Sequence, residues 1–238
     1  MAVGYNPRIV TDGLVLALDA GSTKSYPGSG STWYDRSGNG NNGTLSGTYS
    51  NNSNNLGAVK FDAGSEVLSV SDSSILSTTF SNNSFTIFTT VRSDDVVYPR
   101  SRHPLYVNQN PTSSTTKGWS VGHGATSSSM EFRICDGTNL VNGFLSHSVV
   151  QSTIYHRAFV VDRTEGANMK YYVNSIYIGQ VDASSVTGSI YTSGGLVLGN
   201  VWGWRYIGNI YNVSVYNRAL SAAEVKQNFN TTRGRFGI

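Results

Sequence analysis

Charge is scarce in this chain. Of 238 residues only 4 are Glu and 5 are Lys, and charged residues make up 13%. Those are the residues that usually clothe surface helices, so a mostly helical fold is excluded. One cysteine, Cys135, rules out a disulfide scaffold and any cysteine-based zinc site; in its alternating segment it reads as a small core residue. No apolar stretch approaches the length of a membrane span, and the opening "MAVGYNPRIV" has no apolar signal region. The expectation is a soluble chain made in a reducing cytoplasm, neither secreted nor inserted into a membrane. Basic runs are missing too. The net charge of +3 comes mostly from 12 scattered Arg, clustering only at Arg233 and Arg235 and at Arg100, Arg102 and His103. That is too little for nucleic acid to be the main partner.

What is present points to strands. Ser, Thr and Asn supply 77 residues, Gly another 26, and 14 Tyr, 9 Phe and 4 Trp are enough to fill a core. Aromatic and β-branched residues suit pleated surfaces. Apolar residues alternate in "GLVLALD", "FTIFTTVR", "SMEFRIC", "HRAFVVD" and "YNVSVY". Period two broken by Gly, Asn and Ser describes antiparallel strands with one buried face. "KYYVNSIYIG" reads as a hairpin turning at Asn174-Ser175. The one helix signal is terminal: Ser221 and Glu224 form a capping box, with Leu220, Val225 and Phe229 on one side of one or two turns. "GTYSNNSNNLG" reads as a polar loop, and "RSDDVVYPRSRHPLYVNQNPTSSTTKG", with three of the five prolines, as a long excursion suited to binding.

Three stretches together carry a resemblance. "WYDRSGNGNNGTL" with "AVKFDAG", then "KYYVNSIYIG", then "GNIYNVSVYNRALSAAEVKQNF" resemble the concanavalin A-like, laminin-G-type jelly-roll family. The likeness spans about residues 10 to 230, with Ser175 standing where that family usually has Gly. It implies an all-β, two-sheet antiparallel jelly-roll sandwich over residues 13–230. A short N-terminal arm (1–12) precedes it, a basic tail (231–238) follows, and both chain ends sit on one sheet. The opening segment and "NFNTTRGRFGI" are also similar to laminin-G-like parts of virion proteins in tailed phages, notably those of marine cyanobacteria. That likeness implies a structural protein on the virion surface, decorating the capsid or forming part of a tail fibre. Its partners would be other virion proteins, a further copy of itself, or host or environmental polysaccharide. A free-standing carbohydrate-binding module is the alternative.

Candidate chemistry is thin. Glycoside hydrolysis needs two carboxylates flanking one bond. Glu131 stands alone on its strand, and Asp136, at odd spacing, falls on the other face. Catalysis is therefore not expected; a glycoside hydrolase is the remote alternative. The four histidines, His103, His123, His147 and His156, accompany no nucleophile motif. "DRSGNGN" sets oxygen-bearing side chains at Asp35, Ser37, Asn39 and Asn41, an arrangement open both to structural calcium and to simple turn-making; Asp62 and Asp162 are weaker metal candidates. No other cofactor is expected. For a sugar or a partner the best platform is "GNVWGWRYIG", with Trp202, Trp204, Arg205 and Tyr206; Tyr98, Arg100 and His103 come next. Against this stands the reading that one of those two tryptophans faces the core. Trp33 and Trp119 read as packing residues. Five Asn-x-Ser/Thr triplets, beginning at Asn42, Asn51, Asn82, Asn212 and Asn230, are read as unmodified.

Overall fold

The structure, a computed structural model, describes residues 8–52, 56–62, 65–95, 106–109, 111–123, 128–164, 167–199 and 206–238. Its strands in order are β1 (Leu14–Asp19), β2 (Thr32–Trp33), β3 (Gly43–Ser46), β4 (Tyr49–Asn52), β5 (Ala58–Phe61), β6 (Val67–Val70), β7 (Phe85–Ser93) and β8 (Tyr106–Gln109). Then come β9 (Gly118–His123), β10 (Ser129–Cys135), β11 (Leu140–Ser146), β12 (Ile154–Asp162), β13 (Asn168–Val173), β14 (Ile176–Asp182), β15 (Leu196–Gly199) and β16 (Gly208–Tyr216). Helix α1 (Ser74–Thr79) follows β6 and α2 (Ala222–Phe236) closes the chain. Two antiparallel sheets result. The first runs β14-β13-β12-β7-β16-β5-β4, with β1 also paired to β16; the second runs β11-β10-β9-β8-β15-β6-β3-β2. This is the jelly-roll sandwich the resemblance implies.

In the second sheet β3, β6 and β10 follow the period-two expectation. On β10, Met130, Phe132 and Ile134 are buried while Glu131 and Arg133 are only partly so. The central strands of the first sheet depart from it: β7, β12 and β16 are buried nearly end to end. Their inner faces meet the second sheet, where Trp119 of β9 packs on Phe85 of β7 at a centroid distance of 5.2 Å and Phe132 of β10 packs on Phe159 of β12 at 5.5 Å. Their outer faces lie beneath α2 and the segment before β1. Phe88, Ala158, Val160, Tyr172 and Tyr216 there pack with Val10, Leu220 and Val225. Trp33, Trp119 and Cys135 are buried, in line with a packing role.

Helix α2 has the expected capping box, Ser221 accepting from the Glu224 N–H and Glu224 accepting from the Ser221 N–H. Arg218 grips Glu224 through two hydrogen bonds of 2.6 and 3.0 Å. That grip, with the Ser221 donors and against the cost of burial, holds the Glu224 carboxyl down at about 2. Leu220, Val225 and Phe229 are buried as expected. The helix is 15 residues long, however, not one or two turns, and it absorbs most of the expected basic tail. Asn228, Thr231, Thr232 and Gly234 are weak helix formers, so propensity alone hides the last turns. Tertiary bonds override it. Asn228 accepts from the Val10 N–H (2.8 Å) and donates to the Tyr216 hydroxyl (3.0 Å), while Thr232 Oγ1 lies 2.6 Å from His156 Nε2. Arg235, expected on a free tail, pairs with Asp19 (2.6 Å) and donates to the Leu56 carbonyl. The described part of the N-terminal arm is equally tied down, with Gln227 donating to the Arg8 carbonyl and Tyr216 to that of Val10.

Other expectations are adjusted. Asn174 and Ser175 do form the hairpin turn, both at positive φ (48° and 66°), the geometry of a type I′ turn. The stretch read as a polar loop contains β4, which pairs with β5 from Tyr49↔Phe61 to Asn52↔Ala58. Helix α1, capped by Ser73, was not legible: its polar sequence shows no apolar stripe, and only Leu76 and Thr79 are buried.

Candidate functional site

One end of the sandwich gathers the connections that were expected to bind. β7 ends at Ser93 opposite Gly208, where β16 begins, and Phe61, the end of β5, also pairs with Gly208. On the second sheet Gly199, the end of β15, pairs with Val67, the start of β6. The connection bearing Tyr98, Arg100 and His103 is anchored at this end by Ser93 and Tyr106. The one bearing Trp202, Trp204 and Arg205 is anchored there by Gly199 and Tyr206. Those six site residues lie outside the described residues. Both framing glycines are needed for close approach of strands, not for a loose turn. Gly199 (φ 102°) lies against the Glu66 carbonyl and the Phe61 ring, and Gly208 (φ 152°) against the Arg92 carbonyl, so a Cβ at either would collide.

The described groups at this end form a polar lattice centred on Asp94. Arg92 donates to both its carboxylate oxygens, from Nε at 2.8 Å and Nη2 at 3.0 Å. Asn209 donates to Oδ2 (3.1 Å), and Gln151 donates to the Asp94 carbonyl (2.6 Å). The bond from Asp94, outweighing the cost of burial, raises the Arg92 guanidinium further. Asn209 is completely buried and braces the lattice from within, while Arg92 and Asp94 keep part of their planar polar surface open, the kind of group sugar hydroxyls require. Sequence reading missed this lattice, because its members sit on β7, β16 and the β11–β12 connection, and only strand pairing brings them together. Val150 beside them is 59% exposed.

Tyr206 needs correction as a contact residue. Its ring is wholly buried, edge-on to Phe61 at 6.1 Å, and its hydroxyl lies 3.0 Å from the carbonyls of both Arg92 and Asn209. Burial pushes that hydroxyl's pKa well up. Tyr206 supports the site from beneath.

The loop considered for calcium is brought together but is occupied with itself. Asp35 Oδ1 accepts from the N–H groups of Ala17 and Ser37 (both 2.8 Å), and Oδ2 from the Ser37 hydroxyl (2.7 Å) and the Asn41 N–H (3.0 Å). Asn39 and Asn41 turn their amide nitrogens to the Leu14 and Val15 carbonyls. Four donors around two carboxylate oxygens do not suit a cation, so these residues do not fit calcium. Asp35→Ala should therefore lower stability by about 3 kcal/mol, the scale of bonds to a charged group. Calcium or a chelator should leave the melting temperature of the unaltered protein unchanged; a calcium-dependent rise would reinstate the metal. The weaker candidates are also engaged: Asp62 pairs with Lys60 (3.0 Å) and Asp162 with Lys170 (3.3 Å).

Glu131 faces outward on β10, paired with Arg133 at 2.7 Å and opposite Phe144 of β11. Asp136 lies beyond the strand. Burial pushes its carboxyl up, but the N–H groups of Asn139, Gly188 and Thr138 together outweigh this and hold it at about 2. Neither is placed as an acid–base pair. A crevice of about 270 Å³ lies between α2 and the first sheet, lined among others by Asp19, Arg36, His156, Asn212 and Asn228. Its polar lining comes from distant segments and was not legible either.

The fold has many relatives. The binding domain of Paraclostridial Mosquitocidal Protein 1 is similar to it with a TM-score of 0.73 and 16% identity, over 93% of this chain and 52% of that one. The binding domain of botulinum neurotoxin DC, solved in complex with rat synaptotagmin II, is similar at 0.70 and 15%, again over 93% and 52%. This chain thus spans about half the length of those toxin domains. Domain 4 of AbnA, a GH43 extracellular arabinanase of Geobacillus stearothermophilus, in complex with arabinotriose, is similar at 0.64 and 16%, over 90% of this chain and 97% of that one. A comparison with curated protein sequences gave no match. The Laminin_G_3 family model matches residues 62–226, from the root of the polar end through β16 into α2. By that match, and by the sandwich it describes, the chain belongs to the concanavalin A-like lectin/glucanase superfamily.

Proposed function

We propose that this chain is a non-enzymatic surface protein of a phage virion, a capsid decoration or fibre accessory. In this reading it grips neutral polysaccharide through the polar end of its sandwich. The observation that carries the binding half is the Arg92–Asp94–Asn209–Gln151 lattice at the roots of the connections holding Trp202, Trp204 and Tyr98. Fixed planar polar groups beside aromatic side chains are the two halves of a sugar site. Arabinotriose bound to the arabinanase domain of like fold and length supports the same ligand class. The virion half rests on the likeness of the chain's opening and closing segments to laminin-G-like parts of phage particles. A second reading, docking to another virion protein by the same end, is favoured by the exposure of Ile176 (67%) and Tyr177 (49%) beside the β13–β14 turn.

Trp202→Ala and Trp204→Ala, tested separately on a glycan array, should each leave the fold intact. At least one should cost about 2 kcal/mol of binding, the scale of a stacked hot-spot ring. If both fold normally and bind glycans unchanged, the sugar site is elsewhere. Mass spectrometry of purified particles tests the virion half, and absence of the protein from them removes it.

A further inference from the structure

Beneath the same end lies a buried cation with no counter-charge. Arg157 points inward from β12, completely buried between the sheets. Its Nη1 lies 3.2 Å from His123 Nε2, while Nε and Nη2 have no hydrogen-bond partner. Among the described residues no carboxylate pairs with it. Its guanidinium lies 5.5 Å from the Tyr155 ring centroid. His147, edge-on to both Tyr155 (5.4 Å) and Tyr171 (5.7 Å), and Tyr171 itself both feel its charge. Tyr171 is completely buried, and its hydroxyl is unpartnered, as is His147 Nδ1.

The cluster is therefore rich in donors. The three N–H hydrogens on Arg157 Nε and Nη2, a phenol O–H and an imidazole nitrogen accompany a charge withdrawn from water. A buried unpaired charge costs several kcal/mol unless something neutralises it. His123 faces the guanidinium with Nε2, a ring nitrogen able to accept from it. Burial first, and the Arg157 charge second, lower His147 to about 4, so it is neutral near pH 7. Among the described residues no second cation joins the cluster to call for a divalent anion. Full burial of both Arg157 and Tyr171 leaves no place for a polyatomic ligand such as a sugar acid.

We infer that Arg157, Tyr171 and His147 form an internal binding site for one small monovalent anion of the halide class. Such an ion would accept the free guanidinium and phenol hydrogens, and that of His147 in the tautomer protonated at Nδ1, and neutralise the core at the root of the polar end. The site is separate from the glycan reading and stands or falls without it.

Melting curves of the purified chain in sodium gluconate, titrated with sodium chloride or bromide at constant ionic strength, provide the test. The melting temperature should rise saturably, by roughly 5 °C at a hundredfold excess over the dissociation constant. Arg157→Met, similar in length but uncharged, should abolish that dependence. If that variant does not fold, Tyr171→Phe keeps the ring, removes one donor, and should raise the half-saturating chloride concentration several-fold. Crystals grown in bromide should give an anomalous peak within hydrogen-bonding reach of the Arg157 guanidinium. Identical melting in chloride and gluconate overturns the inference. So does a foldable Arg157→Met or Tyr171→Phe that responds to chloride as the unaltered protein does, or a bromide-grown crystal without that peak.

Discussion

Lowering the pH from 7 to 4 is expected to remove roughly 3 kcal/mol of stability through His156 alone. The imidazole sits on the outer face of β12 beneath α2, its ring 4.7 Å from Phe88, 5.6 Å from Phe229 and 6.4 Å from Phe236. Burial lowers its pKa from 6.5 to about 3. Between those two values the unfolded chain binds a proton that the folded chain refuses. The neutral ring therefore supports the fold fully above pH 6.5, and that support is lost progressively as the pH falls towards 3. His147, less buried, acts in the same direction with a smaller weight. Glu224 and Asp136, both held near 2, act in the same direction: their contribution is whole above about 5 and is lost as the pH falls towards 2. Urea unfolding at pH 7, 5.5 and 4 checks the first step. In His156→Gln, which keeps a polar partner for Thr232, stability should vary much less over that interval. Equal pH slopes in the two proteins would show that His156 is not the group responsible.

Phe229→Ala should cost about 3–5 kcal/mol, the usual toll for emptying an aromatic site in a packed interior. For a domain of this size that is a fall of roughly 8–15 °C in melting temperature. Phe229 is the point where α2 meets the sheet: its ring touches His156 on one side and carries the Arg233 guanidinium at 5.7 Å on the other. A loss below about 1 kcal/mol, read by thermal or denaturant unfolding, would mean that the helix is not seated on the sheet.

Much of this fold is legible because its signals are local. The alternation in "SMEFRIC", the Asn174-Ser175 turn and the Ser221/Glu224 cap each need only a few neighbouring residues, and each is found as expected. What escaped depends on partners far away in the chain. The last turns of α2 are held by Val10, Tyr216 and His156 against their own weak propensity. The double-sided burial of β7 and β16 follows from a helix that comes after both. The polar end shows the same limit. Its aromatic connections stand out as composition, whereas the Asp94 lattice draws on residues 92, 151 and 209. Tyr206 was misread for a related reason: an aromatic in a glycine-framed stretch looks exposed until the strand before it is known to pack against Phe61. Asp35 shows how alike a cation loop and a self-capping loop are in sequence, since both need alternating oxygen atoms. Only the direction of the donors separates them.

Strand β16 lies mid-sheet, bonded to β1, β5 and β7, yet it is residues 208–216 of the chain. During synthesis, then, the middle of this sheet is made long after its neighbours, and Leu14 to Asp19 must wait some two hundred residues for their partner. Until it arrives the inner edges of β7 and β1 have unpaired N–H and C=O groups, the kind of template on which chains pair wrongly. With so many of its contacts distant in sequence, the domain belongs among the slow folders, on a scale of milliseconds to seconds or beyond. The first sheet therefore cannot be completed until β16 has been made, and α2, which follows it, is the piece that seals the finished sheet.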